Sequence, residues 1–152
     1  MQILSDEKFL EIIEATPLVS IDLIVENSDG EILLGKRLNR PAKNYWFVTG
    51  GRIRKNERIT DAFSRISTTE FGYEFTIDNA ELLGAYNHIY DDNAFNRKGI
   101  NTHYVVLAYK VKYTNDSTLL MDKQHSEIRW WGINELLNAD DVHPNTKAYF
   151  IK

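Results

Sequence analysis

Cysteine is missing from the 152-residue chain, which excludes disulfides and thiolate metal sites and leaves oxygen and imidazole nitrogen as the available metal ligands. No apolar run is long enough to span a bilayer, so we expect no membrane partner. Residues 1–7 lack the basic segment that opens a secretory signal. These absences predict a single domain of residues 1–152 in the cytoplasm, of a length that can bury its own core.

Acidic residues outnumber basic ones, and the formal net charge of −4 argues against a nucleic-acid partner. The basic residues are nonetheless concentrated between positions 36 and 65, where Glu57 and Asp61 are the only acidic ones. They are Lys36, Arg37, Arg40, Lys43, Arg52, Arg54, Lys55, Arg58 and Arg65. A local concentration of cations on an acidic protein indicates a small anionic ligand, and a solvated basic face is the alternative.

Apolar and β-branched runs alternate with polar turns along the chain in the order α, β, β, β, α, β, β, β, α. The helix signals are Ser5 before the first helix, Pro17 after it, Thr60 capping the second, Gly72 ending it, Asn134 capping a third and Pro144 opening the last. The predicted strands are residues 18–26, 31–36, 45–48, 82–90, 102–113 and 127–131, and Gly50 with Gly51 breaks the third. This order predicts an α+β fold with a mixed β-sheet sandwiched between helices.

Five residues stand at fixed spacing in the middle of the chain. They are Gly51, Glu57, Arg65, Glu70 and Gly72, separated by five, seven, four and one residues. This pattern resembles the Nudix box, and the resemblance implies a Nudix fold. The chain departs from the box at three places: Ile66 and Thr69 stand where the family has Glu, and Ser67 stands where it has an apolar residue.

The departures bear on how much metal the site can hold. Positions 66, 69 and 70 are three and four residues apart, so they share one face of a helix. Three carboxylates there would hold several hard cations, whereas Glu70 alone supports one Mg²⁺ completed by a carbonyl, a neutral side chain, waters and substrate phosphates. Gly50 has no Cβ, which allows close backbone approach and makes its carbonyl a candidate ligand. The resemblance implies the same use of that carbonyl, and a Glu57–Arg65 pair that fixes the loop on the helix.

One Nudix subfamily, the GDP-mannose mannosyl hydrolases, lacks the same two carboxylates, and the chain resembles it over nearly its whole length. The matching segments are residues 16–20, 26–28, 34–37, 39–42, 45–48, 102–107, 124–125, 129–130, 145 and 148–150. The resemblance implies that water attacks the anomeric carbon of GDP-mannose, or of GDP-glucose, and releases GDP and the free sugar with inversion. It also implies one Mg²⁺ per subunit, a small-molecule nucleotide sugar as the partner and a homodimer.

His125 is the candidate general base, because imidazole titrates near neutrality and the subfamily places its base at this position. The residue lies in a polar stretch, residues 121–127, that predicts a mobile loop. On sequence alone, a solvent-exposed loop histidine is the alternative. The resemblance assigns Gln124 to the metal, together with Gly50 and Glu70, although alone it reads as a surface amide.

The substrate would be held by residues of both polar and aromatic type. Arg37 and Arg52 match subfamily residues that contact the diphosphate, and a guanidinium can fork onto phosphate oxygens. Tyr104 matches a phosphate-contacting tyrosine, with core packing as the alternative for a strand aromatic. Asp22 lies in an apolar strand, where an unpaired carboxylate is costly, so His88 is its expected partner or neighbour. Both match subfamily site residues and, with Arg37, are expected to take part in catalysis; a structural Asp–His pair is the alternative.

Three tryptophans, Trp46, Trp130 and Trp131, are expected to lie in the core rather than to form sugar platforms. His103 and His143 receive no role. Thr49 stands where the subfamily often has Pro, and residues 93–100 carry little motif content, so the sugar preference stays open.

Two other functions remain as alternatives. A conventional Nudix pyrophosphohydrolase would cleave a P–O bond, and the missing carboxylates at positions 66 and 69 count against it. A non-catalytic module would bind a nucleotide sugar without turnover, and the presence of Glu70, His125 and Arg37 counts against it.

Overall fold

The computed structural model describes residues 3–114 and 125–151, with the backbone alone for residues 125 and 126. The helices of this part are α1 (Asp6–Ala15), α2 (Ile59–Phe71), α3 (Ile133–Asn138) and α4 (Pro144–Lys147), with 3-10 turns at Ile77–Asn79 and Ala148–Phe150. The strands are β1 (Leu18–Glu26), β2 (Ile32–Arg37), β3 (Trp46–Phe47), β4 (Thr49–Arg52), β5 (Glu81–Tyr90), β6 (Thr102–Lys112) and β7 (His125–Trp131).

The strands form one mixed sheet. Its central order is β3-β2-β1-β6-β5, with β4 paired to β1 and β7 paired to β2. Strands β1 and β6 run parallel, and the other pairs run antiparallel. Strand β1 pairs with β4 along residues 20–23 and meets β2 at Glu26, so β4 occupies the edge of β1 next to the motif.

Side chains of β1 alternate between two cores, as the pleat of a strand requires. Ile21, Leu23 and Val25 are fully buried in the core that holds α2. Ile24 lies in the opposite core, with residues of α3 and the C-terminal turn. Helices therefore cover both faces of a mixed sheet, which confirms the predicted α+β architecture, and Asp22 faces the same side as Ile24.

The tryptophan prediction is confirmed for the two most buried rings. Trp46 and Trp131 are buried in one core and pack edge to face, with ring centroids 5.3 Å apart. Trp130 is partly buried against the other core and stacks on Tyr113.

Several helix ends agree with the sequence signals. Ser5 is the N-cap of α1 and accepts a hydrogen bond from the backbone N–H of Lys8, and Pro144 opens α4. Gly72 ends α2 in the left-handed conformation, with φ 65°, and its N–H donates to the carbonyl of Thr68.

Four local predictions were wrong. Thr60 is not the cap of α2, because the first helical hydrogen bond runs from Ala62 to the carbonyl of Arg58. Asn134 is not the cap of α3, because that bond runs from Leu136 to the carbonyl of Gly132. The remaining two concern the ends of strands: residues 50 and 51 belong to β4 rather than breaking a strand, and residues 125 and 126 begin β7 rather than a loop.

No helix in the described part of the chain combines the length and the apolar character that crossing a membrane requires.

Candidate active site

A cavity of about 470 Å³ opens where α1, β1, β4, α2, β5 and β6 meet. Its charged lining is dominated by cations: Arg37, Arg40, Arg52, Arg54 and Arg65. Two carboxylates of the described chain, those of Asp22 and Glu70, also line it. The cationic stretch seen in the sequence therefore surrounds a cavity, which favours an anionic ligand over a merely solvated face.

Glu57 and Arg65 fix the loop before α2. Arg65 Nε donates to Glu57 Oε2 at 2.7 Å, and Arg65 Nη2 donates to Glu57 Oε1 at 2.9 Å and to the carbonyl of Arg52 at 2.8 Å. Glu57 Oε1 also accepts from the backbone N–H of Arg54 at 3.0 Å. The hydrogen bond from Arg65 lowers the pKa of Glu57 to about 2, so this carboxylate stays ionised. The expected pair is present, and it holds residues 52–57 against the helix.

Helix α2 presents one carboxylate to the cavity. Glu70 is 7% exposed and lines the cavity, and the exposed Thr69 lies beside it on the lining. Ile66, one turn earlier, is 1% exposed and packs in the core against Gly51 rather than lining the cavity. Two of the three positions that carry Glu in the family thus reach the cavity, and of these two Glu70 alone is acidic.

The third departure from the motif, Ser67, is explained by the hydrogen bonds of its side chain. The side chain is fully buried; its hydroxyl donates to the carbonyl of Tyr73 at 2.7 Å and accepts from the N–H of Phe75 at 2.6 Å. An apolar residue would leave both backbone groups without this partner. The hydroxyl therefore ties the segment after α2 back onto the helix.

Gly50 lies where no other residue fits. It pairs with Asp22 in the β1–β4 ladder. A Cβ at this position would come 2.1 Å from the carbonyl oxygen of Ile21 and 2.5 Å from Asp22 Oδ1. Glycine is required here because β1 approaches so closely, a reason that the sequence did not reveal.

The oxygen donors near this point suit a hard cation. Gly50 and Glu70 both line the cavity and offer a carbonyl and a carboxylate oxygen, which are ligands that Mg²⁺ prefers. The described residues contain no cluster of three or more His, Asp or Glu side chains with metal-binding geometry. A carbonyl and a carboxylate are donors suited to a divalent cation whose other ligands come from water and substrate. Gln124 lies outside the described residues.

Asp22 and His88 are joined through a third residue. The hydroxyl of Tyr149 donates to Asp22 Oδ2 at 2.5 Å and lies 3.2 Å from His88 Nε2. His88 is therefore a neighbour of Asp22, and a tyrosine from the C-terminal 3-10 turn stands between the two. Burial raises the pKa of Asp22 to about 7, against the hydrogen bond from Tyr149, and burial lowers the pKa of His88 to about 4. Sequence reasoning assigned no role to Tyr149, although it lies in a segment that matched the subfamily.

The cationic wall carries the residues predicted for the diphosphate. Arg37, Arg52 and Tyr104 all line the cavity. Arg37 Nε donates to the carbonyl of Pro41 at 2.9 Å, and a guanidinium carries five N–H donors in all. The Arg52 guanidinium lies 4.8 Å from the ring centre of Phe9. Burial raises the pKa of Tyr104, so its hydroxyl remains a hydrogen-bond donor.

His125 opens β7, and its backbone pairs with that of Arg37 in the β2–β7 ladder. The role of its side chain stays a prediction. The two unassigned histidines have local partners: His103 Nε2 is 3.0 Å from Asn87 Oδ1, and His143 caps α4 by accepting from the N–H of Asn145.

The geometry of this loop and helix agrees with comparisons to known proteins. Residues 16–152 match the model of the NUDIX domain family. The chain belongs to the Nudix family. Nudix hydrolases are enzymes that generally use a divalent metal such as Mg²⁺, and the predicted Nudix fold is confirmed.

Three known proteins are similar to this Nudix chain. It is 40% identical over 125 residues to the low-salt glycan biosynthesis protein Agl8 of Haloferax volcanii, covering 82% of this chain and 76% of that protein. The MutT Nudix hydrolase of Burkholderia pseudomallei superposes with a TM-score of 0.70 at 23% identity, covering 88% of this chain and 95% of that one. The Nudix domain of Shewanella oneidensis NrtR, solved with ADP-ribose, superposes with a TM-score of 0.64 at 16% identity, covering 97% of each chain.

Proposed function

We propose that this Nudix chain is a Mg²⁺-dependent hydrolase of GDP-mannose, or of GDP-glucose, that releases GDP and the free sugar by attack of water at the anomeric carbon with inversion. One observation carries the proposal: α2 presents a single carboxylate, Glu70, to a cavity lined by five arginines. Attack at phosphorus in this family relies on an acidic cluster on the helix. A cavity rich in cations and poor in carboxylates suits the neutralisation of a leaving diphosphate instead.

Two relatives support the substrate class. The name of the Haloferax volcanii relative points to glycan biosynthesis, a process that consumes nucleotide sugars. The NrtR domain binds ADP-ribose, a nucleoside diphosphate joined to a sugar. Both are consistent with a ligand of that class in the cavity described above.

In the proposed reaction, a water oxygen forms a bond to the anomeric carbon while the bond from that carbon to the β-phosphate oxygen breaks. GDP leaves with the bonding electrons, and His125 accepts the proton of the attacking water. Arg37 and Arg52 hold the diphosphate, and the hydroxyl of Tyr104 donates to it. Glu70 and the Gly50 carbonyl would hold Mg²⁺, with Gln124 as a further ligand. When bound, the ion adds positive charge beside the leaving group.

The backbone position of His125 supports its assignment as the base. Its pairing with Arg37 brings the start of β7 next to a residue that lines the cavity. Asp22 and His88 also line the cavity, and they are not cationic residues like the arginines there. We assign them to the sugar and the leaving group. The same proposal includes a homodimer and a location in the cytoplasm. Sedimentation of the purified chain measures whether it is a dimer.

Hydrolysis in ¹⁸O-water tests where the bond breaks. The protein is incubated with GDP-mannose and Mg²⁺, and the products are analysed by mass spectrometry. Label in mannose supports attack at carbon, and label in GMP or in mannose 1-phosphate overturns it in favour of a pyrophosphohydrolase. Absence of product overturns the proposed hydrolysis and favours a binding module.

A pair of histidine variants tests the base. His125→Gln is expected to lower kcat at least about 100-fold, because a general base contributes on that order. His103→Gln is the matched control, since His103 is hydrogen-bonded to Asn87 and does not line the cavity. Equal losses in the two variants would remove His125 from this role.

A further inference from the structure

Tyr149 joins two site residues that are remote in the sequence. It stands 127 positions from Asp22 and 61 positions from His88, yet its hydroxyl is within hydrogen-bond distance of both. All three side chains are buried, with exposed fractions of 8%, 8% and 4% for Tyr149, Asp22 and His88. Asp22 and His88 line the cavity and Tyr149 does not, so within the described residues the phenol hydroxyl has these two side chains as its hydrogen-bond partners.

A phenol has one hydrogen and two neighbours here. Above pH 7, where Asp22 is ionised and can only accept, the phenol hydrogen lies on the shorter contact, which is 2.5 Å to Asp22 Oδ2 against 3.2 Å to His88 Nε2. The phenol oxygen can then only accept from His88. Nε2 of His88 must consequently carry a hydrogen.

His88 has a single ring hydrogen at neutral pH. Burial, and to a smaller extent the nearby His143, lower its pKa to about 4, so the ring is neutral. With the hydrogen at Nε2, the Nδ1 nitrogen is left with a lone pair. The ring itself lines the cavity.

We propose that Tyr149 is a positioning residue that holds the Asp22 carboxylate and fixes His88 in its Nε2–H tautomer, so that Nδ1 of His88 accepts a hydrogen bond from a hydroxyl of the bound sugar. The ligand is therefore a sugar with a free hydroxyl facing Nδ1 of His88, rather than a sugar in which that hydroxyl is alkylated. The part concerning the sugar rests on the proposed function, whereas the tautomer does not.

Nuclear magnetic resonance of the protein with ¹⁵N-labelled histidine, recorded at about pH 8.5 so that Asp22 is ionised, tests the tautomer directly. Long-range ¹H–¹⁵N correlations show which ring nitrogen is protonated, and His88→Asn identifies the signal among the four histidines. We expect the Nε2–H form in the wild type and a loss of that single form in Tyr149→Phe. An Nδ1–H form in the wild type would overturn the inference, and this spectrum decides even if Tyr149→Phe does not fold.

Tyr86→Phe is the matched control. The ring of Tyr86 packs edge to face on that of Tyr149 with centroids 4.8 Å apart, so the variant removes a neighbouring hydroxyl and keeps the packing. We expect it to leave the His88 tautomer unchanged. If both tyrosine variants changed the tautomer alike, the effect would be one of packing and the inference would fail.

Kinetics separate this inference from the proposed function. Tyr149→Phe is expected to lower kcat/KM for GDP-mannose about tenfold, the size of one lost hydrogen bond to a charged group. An Nε2–H tautomer in a protein that does not hydrolyse GDP-mannose would refute the proposed function and keep the positioning role. Hydrolysis at the anomeric carbon by a protein with the Nδ1–H tautomer would keep the proposed function and refute the positioning role.

Discussion

Gly51 lies directly against the side chain of Ile66: a Cβ built on Gly51 would come 3.0 Å from Cγ1 of Ile66. The contact joins the first residue of the Nudix motif to a position where the family carries Glu. Ile66 is 1% exposed and belongs to the core between α2 and the sheet. The missing carboxylate at this position has thus been replaced by core packing.

Placing a carboxylate at position 66 is therefore expected to destabilise the protein. Ile66→Glu should lower the free energy of unfolding by about 3 kcal/mol, because it buries a charged group without a partner. Thr69→Glu is the matched control, since Thr69 is exposed at the cavity and should change stability by less than about 1 kcal/mol. Urea unfolding measures both, and equal effects would contradict the packing described above.

The close approach of β1 to β4 makes a second prediction. Gly50→Ala should lower the free energy of unfolding by more than about 3 kcal/mol, because its Cβ would come 2.1 Å from the carbonyl oxygen of Ile21 and force the strands apart. Gly132→Ala is the control: the nearest atom to its Cβ lies 4.0 Å away, so it should be nearly neutral. Thermal unfolding of the two variants side by side is the measurement.

The buried hydroxyl of Ser67 leads to a third prediction. Ser67→Ala removes one donor and one acceptor from the backbone groups of Tyr73 and Phe75, and should lower stability by about 2 kcal/mol. In Ser64→Ala the lost hydrogen bond to Glu74 is exposed, so water replaces it and the loss should be below about 0.5 kcal/mol. A Ser67 variant as stable as the Ser64 variant would show that the hydroxyl is dispensable.

The lowered pKa of Glu57 predicts that the stability of the protein depends on pH. Its pKa is lowered from 4.5 to about 2, chiefly by the hydrogen bond from Arg65. Because the folded value lies below the unfolded one, the stabilisation is complete above about pH 4.5 and is lost as the pH falls toward 2. Glu57→Gln should therefore lower stability by about 2 kcal/mol at pH 7 and reduce the loss between pH 4.5 and 2.

Arg129 and Glu135 provide the comparison for that pair. They are also hydrogen-bonded, but their side chains are 42% and 53% exposed. Glu135→Gln should thus change stability by less than about 0.5 kcal/mol at either pH. If the Glu57 and Glu135 variants gave the same pH profile, the loop pair would not carry the predicted stabilisation.

Local signals in the sequence predicted the elements well where a few neighbouring residues decide the outcome. The bounds of β1 and the left-handed end of α2 at Gly72 agree with the structure. The caps at Thr60 and Asn134 were each wrong by two residues, because the start of a helix can shift when tertiary packing favours a different first turn.

The sequence by itself determined the motif spacing and the α+β order of elements, because these depend on neighbouring residues and on simple alternation, and the Glu57–Arg65 pair followed from the resemblance to the Nudix box. Tertiary structure alone decided that Tyr149 stands between Asp22 and His88, that Gly50 is required by the backbone of β1, and that Ile66 belongs to the core. These contacts join residues far apart in the chain, and they follow from strand register and packing, which no local pattern of residues encodes.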